Sequence, residues 1–376
     1  MRLGEVCNKI GSGATPSGGK DSYKSVGIPL IRSQNVLDFS FSTAGLAFID
    51  NKQAQLLDNV AIQENDVLVN ITGDSVARVC MVPAEYVPSR VNQHVAIVRA
   101  NPQKAVPSYL LYLLQHLKPH LLSIGSSGGT RNALTKQMLE NLEIDLASLE
   151  EQVKIGNTLS ALDARIAENK KINHHLEQMA QAIWAERFDK REPNGVLGDI
   201  IELFDSKRTP LSGNQRASME KIYPYYGAAT LMDYVDNYLF DGVYLLLGED
   251  GTVIDNSGFP ILQYVWGKFW VNNHAHVLQG RNGFIVESLY TLLKRTRVTS
   301  IVNGAVQLKI NQANLKSLDV IIPSKEEMQE FNALIEPLFS QIRNNSNENL
   351  RLAETRDTLL PKLMSGELSV AEVTAK

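Results

Sequence analysis

The chain has 376 residues, of which 44% are hydrophobic and 21% charged, and its formal net charge at pH 7 is −4. This length predicts two globular cores rather than one, and the scattered charges of both signs argue against a polybasic tail or a membrane-surface protein. The two cysteines, Cys7 and Cys80, suit neither a disulfide framework nor a Cys-x-x-Cys site, and no apolar run is long enough to span a bilayer, so we expect a soluble, cytoplasmic protein with no membrane partner.

The first globular region, which we assign to residues 1–148, reads mostly as short strands and turns. It opens with Leu3-Gly4-Glu5-Val6 and a Gly/Ser-rich loop around Thr15. Residues 66–71 form a short apolar run that predicts a buried strand, and a glycine-containing turn follows at 72–75. The apolar residues of 107–117 predict a helix.

Residues 149–190 carry the pattern of one long helix. Apolar residues, and asparagines in the middle, recur at alternating spacings of four and three from Ile155 to Ile183. A heptad pattern sustained over about four heptads favours a helix in a coiled coil over an amphipathic helix packed on its own domain.

A second globular region, assigned to 191–323, repeats the plan of the first in a shorter form. It opens with Leu197-Gly198-Asp199-Ile200. A buried strand is predicted at 243–247, a turn at 248–251 and a helix at 287–293. Both globular regions are therefore predicted to be mixed α/β (α+β) domains.

The most informative feature of the sequence is an internal repeat. The segment Leu134–Leu176 returns as Ile310–Leu352, with each residue matched 176 positions later. Leu142 matches Leu318 in this way, and Ile166 matches Ile342. A duplicated unit predicts a pseudo-symmetric molecule, which suits a target that itself comes in two halves.

Residues 324–376 contain the second long helix and a C-terminal tail. Connectivity predicts that the two helices run antiparallel and separate the globular regions as a bar between two heads, with Pro337 kinking or delaying the start of the second helix. The asparagines would then lie near the same level and fix the register by hydrogen bonding to each other. The residues predicted to pair the helices are Leu162, Ile166, Asn169, Asn173, Leu176, Leu338, Ile342, Asn345, Asn349 and Leu352.

No catalytic motif is apparent in the sequence. It has no P-loop, no Gly-x-Gly-x-x-Gly after a strand, no Asn-Pro-Pro-aromatic motif of an amino-methyltransferase and no Gly-x-Ser-x-Gly elbow. His274 and His276 are two residues apart, but a pair without further ligands is more often structural than metal-binding. We predict a non-catalytic chain without a metal site.

Together, the repeat, the heptads and the missing catalytic motifs resemble the specificity subunit of a type I restriction–modification system, over essentially the whole chain. Leu146-Ala147-Ser148-Leu149-Glu150-Glu151-Gln152 resembles the Pro-x-x-x-Glu-Gln start of the family's first long helix, with Ala147 where proline is usual. Residues 322–329 keep the proline but shift the glutamine. Residues 359–368, Leu-Leu-Pro-Lys-Leu-Met-Ser-Gly-Glu-Leu, resemble the ending of many family members.

This resemblance implies two pseudo-symmetric target-recognition domains separated by two long antiparallel helices that form an intramolecular coiled coil. Each domain would read one half of a bipartite sequence in double-stranded DNA. The helices would set the spacing and dock two modification subunits, and restriction subunits would join through them. The chain itself would carry no cofactor, since S-adenosylmethionine, ATP and Mg²⁺ are expected on the partner subunits.

Polar side chains on the predicted loops are the candidates for DNA contact, because Arg, Lys, Asn and Gln read base edges while Lys, Ser and Thr hold phosphates. The loop at 126–132 and its counterpart at 301–309 are favoured. In the first domain the candidates are Thr15, Ser33, Gln34, Asn35, Thr72, Ser75, Arg78, Asn92, Gln93, Thr130, Arg131 and Asn132. In the second they are Lys207, Arg208, Thr209, Asn272, Asn273, Asn303, Gln307 and Lys309.

Several of these candidates also have structural interpretations. The glycine-rich loops could be ordinary turns, and Asn92 and Asn272 are as well suited to structural hydrogen bonding as to base reading. For the chain as a whole, one alternative is a two-headed coiled-coil adaptor that binds proteins without DNA specificity, which the near-neutral charge favours. The other is an enzyme with an unrecognised site.

Overall fold

The computed structural model describes residues 1–16, 18–126, 132–304 and 307–374. These residues form two compact units: unit 1 contains 1–167 together with 349–376, and unit 2 contains 168–348. Both units mix strands and helices, which confirms the predicted α/β fold class. Among the described residues, no helix has the length and apolarity needed to cross a membrane.

Unit 1 is built on two sheets. Its strands are β1 (Cys7–Ser12), β2 (Ile28–Ile31), β3 (Ala47–Ile49), β4 (Val67–Asn70), β5 (Val79–Met81), β6 (Arg90–Val91) and β7 (Val95–Ala100). One sheet has the order β1-β7-β4-β5 and the other β3-β2-β6. Strand β4 is the buried strand predicted at 66–71, and it pairs antiparallel with β7, so that Val69 lies opposite Ala96.

Two helices of unit 1, α2 (Pro107–His116) and α4 (Lys136–Glu140), pack against the four-stranded sheet. Helix α2 begins at a proline, whose missing N–H would have no helical partner at that position, and it buries its apolar residues in the core of unit 1. This is the helix predicted at 107–117. The shorter helices and the first long helix are α1 (Asn51–Leu56), α2 (Pro107–His116), α3 (Lys118–Ser126), α4 (Lys136–Glu140) and α5 (Leu149–Phe188).

Unit 2 has one six-stranded sheet and a two-stranded sheet. The strands are β8 (Gly195–Val196), β9 (Ile201–Leu203), β10 (Tyr223–Tyr226), β11 (Leu231–Val235), β12 (Phe240–Gly248), β13 (Leu262–Val271), β14 (Ala275–Gly280) and β15 (Asp319–Val320). The larger sheet has the order β11-β10-β13-β12-β14-β9, and β15 pairs with β8. The helices are α6 (Gly213–Ala217), α7 (Val286–Leu293) and α8 (Gln312–Lys316). Strand β12 and helix α7 are the strand and helix predicted near 243–247 and 287–293.

The two units share one strand plan. The order β9-β14-β12-β13 in unit 2 repeats β1-β7-β4-β5 in unit 1, and β11-β10-β13 repeats β3-β2-β6. The single strand β13 therefore occupies the positions of both β5 and β6, which are separated by a loop in unit 1. A continuous strand in place of this loop is one of the deletions that make the second globular region shorter.

The repeated segments also begin their short helices in the same way. Thr135 accepts a hydrogen bond from the Met138 N–H at the start of α4, and Asn311 accepts one from the Asn314 N–H at the start of α8. Side-chain oxygens at this position satisfy N–H groups that the first helical turn leaves unpaired. Thr135 and Asn311 are 176 positions apart, so the same position of the repeat caps the helix in both copies, with threonine in one and asparagine in the other.

The second long helix, α9 (Lys325–Met364), is followed by α10 (Val370–Thr374), and like α5 it has 40 residues. All the predicted seam residues of α5 and α9 lie in the described part of the chain, and each is buried or half-buried. In unit 1, Ile155 and Leu159 share a core with Leu360 and Leu363. The seam is therefore apolar where the helix pair joins the core of unit 1.

In unit 2 the two helices run antiparallel, as connectivity predicts. Asn345 Nδ2 donates to Asn173 Oδ1 at 2.8 Å, and Asn169 Nδ2 donates to Glu348 Oε2 at 2.8 Å. Further along, Trp184 packs edge-on against Phe331. The contact between Asn173 and Asn345 is the asparagine pairing that the heptad register predicts.

Of the two effects predicted for Pro337, a kink or a delayed start of the second helix, the delayed start is wrong. Helix α9 begins at Lys325 and continues through Pro337. Its start is fixed by Ser324, whose Oγ accepts from the Glu327 N–H at 3.2 Å while Glu327 Oε2 accepts from the Ser324 N–H at 2.8 Å. This reciprocal capping satisfies the first turn well before the proline is reached.

Candidate nucleic-acid interface

In each unit, the turn after the buried central strand is held by the same main-chain hydrogen bonds. In unit 1, the Gly73 N–H donates to the Asn132 carbonyl at 3.0 Å, and the Leu134 N–H donates to the Ile71 carbonyl at 2.8 Å. In unit 2, the Gly251 N–H donates to the Leu308 main-chain carbonyl at 2.9 Å, and the Ile310 N–H donates to the Glu249 main-chain carbonyl at 2.8 Å. The turn and the repeated segment are thus joined alike in both units, and we call this arrangement the turn frame.

A second turn completes the frame and explains one repeated motif. Asn92 Oδ1 accepts from the His94 N–H at 3.0 Å, and Asn272 Oδ1 accepts from the His274 N–H at 2.8 Å. Both asparagines are 4% exposed. The assignment of Asn92 and Asn272 to DNA contact is therefore corrected, because both residues are buried and their Oδ1 atoms shape the turn.

Unit 1 has a concave surface beside this frame, with a volume of about 410 Å³. Five predicted contact residues line it together with Gly73, Asp74 and His94, namely Ser33, Gln34, Thr72, Ser75 and Arg78. The Thr72 Oγ1 and His94 Nδ1 atoms are 2.5 Å apart, which ties the two turns of the frame together. The structure thus gathers side chains that lie up to 61 positions apart in the sequence onto one surface.

Asn35 is not part of this surface. It is 0% exposed, its Nδ2 donates to the Ser42 carbonyl at 2.9 Å, and its Oδ1 accepts from the Arg32 N–H at 3.0 Å. Its assignment to DNA contact is corrected, because it folds the loop that presents its neighbours. Gln34 next to it is exposed and donates to the Ala44 carbonyl at 3.1 Å.

Arg78 is the cation of the unit 1 surface. Within the described residues no carboxylate forms an ion pair with its guanidinium, which leaves its five N–H donors for a ligand. Thr15 and Gln93 are exposed and hydrogen-bonded to each other, and Asn132 is exposed at the edge of the frame. The predicted contact residues Thr130 and Arg131 lie outside the described residues.

The first loop of unit 2 carries three predicted DNA-contact residues. Two of them are exposed, and the third has its side chain bonded inside the unit. Lys207 and Thr209 are exposed. The Arg208 side chain is 11% exposed, and its guanidinium donates to Glu249 Oε2 and to the Ala275 carbonyl, both at 2.7 Å. The assignment of Arg208 to DNA contact is corrected, because its guanidinium is bonded to acceptors inside the unit.

Arg208 belongs to a buried ionic cluster with Asp205, Glu249 and His276. His276 Nδ1 lies 2.6 Å from Asp205 Oδ2, and its Nε2 lies 2.8 Å from the Ile310 carbonyl, so both ring nitrogens face oxygen acceptors. Burial pushes the pKa of Asp205 upward, but the hydrogen bond and charge of His276, the Val277 N–H and Arg208 together hold it below its ordinary value.

The ligand atoms of Asp205, Glu249 and His276 lie within 4.8 Å of one another, a distance that would suit a metal ion. Arg208, however, contacts both carboxylates, and Lys309 lies 3.4 Å from Glu249. The cluster is therefore balanced by its own cations. It ties the first loop to the segment around Ile310, and His274, which precedes strand β14, is not part of it.

The remaining candidates of unit 2 lie on exposed loops. Asn273, Asn303, Gln307 and Lys309 are exposed. The main chains of Asn303 and Lys309 pair in both directions at 2.8 Å, so the loop between them is a closed turn. Residues 305 and 306 of this turn lie outside the described residues.

Sequence reasoning missed one element of the unit 2 surface, the hairpin turn between β10 and β11. The Gly227 N–H donates to the Thr230 carbonyl at 2.9 Å and closes the turn, and the Asn272 N–H donates to the Tyr226 carbonyl at 3.0 Å and fixes it to the frame. Leu231 and Met232 follow and are exposed. A short glycine-containing turn between two tyrosine-containing runs was the available signal.

Comparison with known proteins agrees with this architecture. The family model described as the type I restriction modification DNA specificity domain matches residues 1–178 and again 194–353. The chain belongs to this family, as the resemblance in the sequence predicts. The two matches fall on the two halves of the internal repeat.

The relatives are specificity subunits. The chain is 28% identical to the type I restriction enzyme MjaIX specificity subunit of Methanocaldococcus jannaschii, over 71% of this chain and 70% of that protein. It is 23% identical to the type I restriction enzyme HindI specificity subunit of Haemophilus influenzae, over 82% and 87%. The crystal structure of a type I S subunit from M. genitalium has the same fold, with a TM-score of 0.56 and 16% identity over 97% of this chain and 95% of that one.

Proposed function

We propose that this chain is the DNA-reading subunit of a type I restriction–modification complex, and that each unit reads one half of a bipartite duplex sequence. The observation that carries the proposal is the turn frame, which recurs in both units with different side chains on it. A constant main-chain support with variable polar loops is what two related readers of different sequences need. The same frame supports the adaptor alternative less well, because its exposed side chains have the composition of a DNA-contacting surface.

In unit 1 the reading surface is the concavity around Arg78. An arginine with all its donors available suits bidentate hydrogen bonding to guanine, and Gln34 suits adenine. Ser33, Thr72 and Ser75 supply hydroxyl groups for phosphate oxygens. In unit 2 the corresponding groups are Lys207 and Lys309 for phosphates and Asn273, Asn303 and Gln307 for base edges.

The paired helices serve as the spacer and as the surface for the modification subunits in this proposal. Two observations support it: the helix pair is held in register by the contact between Asn173 and Asn345, and large apolar side chains stay exposed along the helices. These exposed residues are Leu149, Val153, Met179, Leu334 and Leu350. The modification subunits would carry out the S-adenosylmethionine chemistry, and restriction subunits would carry out the ATP- and Mg²⁺-dependent steps. This chain would select the DNA sequence on which they act.

A selection from random duplex DNA tests the proposal. The purified chain, assembled with its modification subunits, is used to enrich duplexes, and the bound fraction is sequenced. We expect a motif of two short specified blocks separated by a fixed unspecified gap, and an affinity that falls steeply as salt rises. Enrichment of one uninterrupted block would contradict the assignment of one half-site to each unit. The absence of any enrichment, with salt-insensitive binding, would leave the adaptor as the better account.

A further inference from the structure

The hairpin turn of unit 2 presents apolar side chains where polar ones are the rule. Leu231 is 41% exposed and Met232 is 53% exposed, and both directly follow the turn at 227–230. Exposing apolar area costs free energy that burial would recover. Two adjacent exposed apolar residues beside a candidate reading surface therefore call for a ligand with an apolar part.

The strand plan places this hairpin where unit 1 has its polar reading loop. In unit 2, the Asn272 N–H donates to the Tyr226 carbonyl, and in unit 1 the Asn92 N–H donates to the Ile31 carbonyl, both at 3.0 Å. The residues that follow Ile31 are thus equivalent to those that follow Tyr226. Ser33 and Gln34, which line the unit 1 concavity, lie in that loop, so the unit 2 hairpin occupies the same place on the shared frame.

Close packing holds the hairpin in one position. A Cβ atom on Gly227 would lie 2.4 Å from Met232 Sδ, and one on Gly248 would lie 3.2 Å from the Ala228 carbonyl oxygen. Asn272 Nδ2 also lies 3.4 Å from Met232 Sδ. Met232 is therefore anchored to the frame at its sulfur while more than half of the side chain faces solvent, and a side chain held in this way loses little entropy on binding.

The edges of the base pairs in the major groove offer one apolar group, the 5-methyl of thymine. We infer that Leu231 and Met232 contact thymine 5-methyl groups in the half-site of unit 2, so that this unit reads part of its sequence by apolar contact where unit 1 uses polar side chains. The inference rests on the proposed function, since it takes the unit 2 frame to face DNA.

Replacing thymine by uracil tests the inference, because the two bases pair alike and differ by the methyl group alone. The full complex is titrated with duplexes in which each thymine of the unit 2 half-site is replaced in turn. At one or two positions we expect about a fourfold loss of affinity, the value of one buried methyl group. Uracil in the other half-site should leave the affinity unchanged.

The protein side of the test is a double-mutant cycle. Met232→Ala should weaken binding to the thymine duplex by about fivefold, and binding to the uracil duplex by much less, because the two changes remove the same contact. The matched control is Ile222→Ala, at the opposite end of the same hairpin, where the side chain is likewise 53% exposed. This control should change neither affinity.

Three results would overturn the inference: equal affinity for thymine and uracil at every position, a unit 2 half-site without thymine, or an equal loss for Met232→Ala on both duplexes. The first two need no protein variant, so a folding defect cannot obscure them. Failure of the proposed function has a different signature, because the unaltered complex would then show no sequence-selective binding to any duplex, and both proposals would fall.

Discussion

The two units of this chain stabilise the same turn frame by different kinds of interaction. In unit 1, Ala96 lies opposite Val69 and Ile71 begins the turn, and both Ala96 and Ile71 are buried apolar residues. By strand register, unit 2 has His276 and Glu249 at these places, joined to Asp205 and Arg208. One frame is thus supported by apolar packing and the other by a buried ionic cluster.

This difference has consequences for how each unit responds to change. Apolar packing is insensitive to pH and tolerates small changes of shape at modest cost. A buried ionic cluster loses hydration that only its internal partners replace, so removing one partner leaves an unpaired charge inside the protein. The cluster also ties the first loop of unit 2 to the segment around Ile310. In unit 1, Thr15 of the first loop contacts Gln93 of the turn at 92–94 at the surface instead.

The largest effect we expect is from Arg208→Ala. The change leaves Asp205 and Glu249 without their shared cation and should lower the free energy of unfolding of unit 2 by about 3–5 kcal/mol. Hydrogen exchange resolved along the chain measures this, with protection lost in 195–320 and kept in unit 1. Lys309→Ala is the matched control, because Lys309 pairs with the same Glu249 at an exposed position and should cost less than about 1 kcal/mol. Equal costs for the two variants would refute the ionic support of the frame.

An effect of intermediate size is expected on the reading surface of unit 1. Arg78→Ala should weaken binding of the assembled complex to its target by about 1–3 kcal/mol and relax specificity in one half-site only. Competition titrations with single-base variants of both half-sites measure this loss. Lys104→Ala removes one positive charge from an exposed loop beyond the far end of strand β7 and serves as the control. If Arg78→Ala altered both half-sites, the two surfaces would not read independently.

The helix pair should show a smaller effect. Asn345→Leu removes the partner of a half-buried asparagine, Asn173, and should cost about 1–2 kcal/mol in the free energy of unfolding of unit 2. Replacing Asn173 and Asn345 together by leucine should recover part of that cost, because neither asparagine is then left facing an apolar side chain, while Gln341 and Ser346 each lose one hydrogen-bond partner. Chemical denaturation of the two single variants and the double variant yields the coupling energy. Strictly additive costs would mean that the hydrogen bond between these asparagines contributes no stability.

The smallest effect we expect is on the acid sensitivity of unit 2. The pKa of Asp205 is lowered in the folded state, so its contribution is fully present above the unfolded pKa of about 3.9 and is lost as the pH falls through the folded value. Asp205→Asn removes this contribution. Its free energy of unfolding should be below that of the wild type at neutral pH, and the gap should narrow below about pH 4. A gap that stays constant on acidification would show that Asp205 does not titrate with folding.

Much of the fold could be predicted because long periodic patterns dominate it. The heptads predict the long helix over 149–190, which the structure places at Leu149–Phe188, and the repeat predicts two units with related strands. The delayed start predicted from Pro337 is wrong because capping by Ser324 sets where the helix begins. The presence of a proline in the sequence does not indicate whether a cap further upstream has already started the helix. The deletions in unit 2 hid the correspondence between its hairpin and the reading loop of unit 1.

The candidate site could be predicted only in part, because burial decides the role of a polar side chain. Asn92 and Arg208 have the chemistry of base and phosphate contacts, and only the structure shows that their hydrogen bonds are made internally. The sequence places Gln34 on one predicted loop and Thr72 and Arg78 on another, and strand pairing brings the two loops to one surface. Leu231 and Met232 were overlooked because an apolar pair in a sequence normally indicates core.

The most direct test of the central claim is the adenine methylation pattern of host DNA, read by single-molecule sequencing with and without this gene. Two independent readers on one chain predict a bipartite methylated motif that disappears on deletion, and a partly relaxed motif in cells that carry Arg78→Ala, with one block degenerate and the other intact. A methylation pattern unchanged by deletion, with the modification subunit shown to be expressed, would contradict the claim.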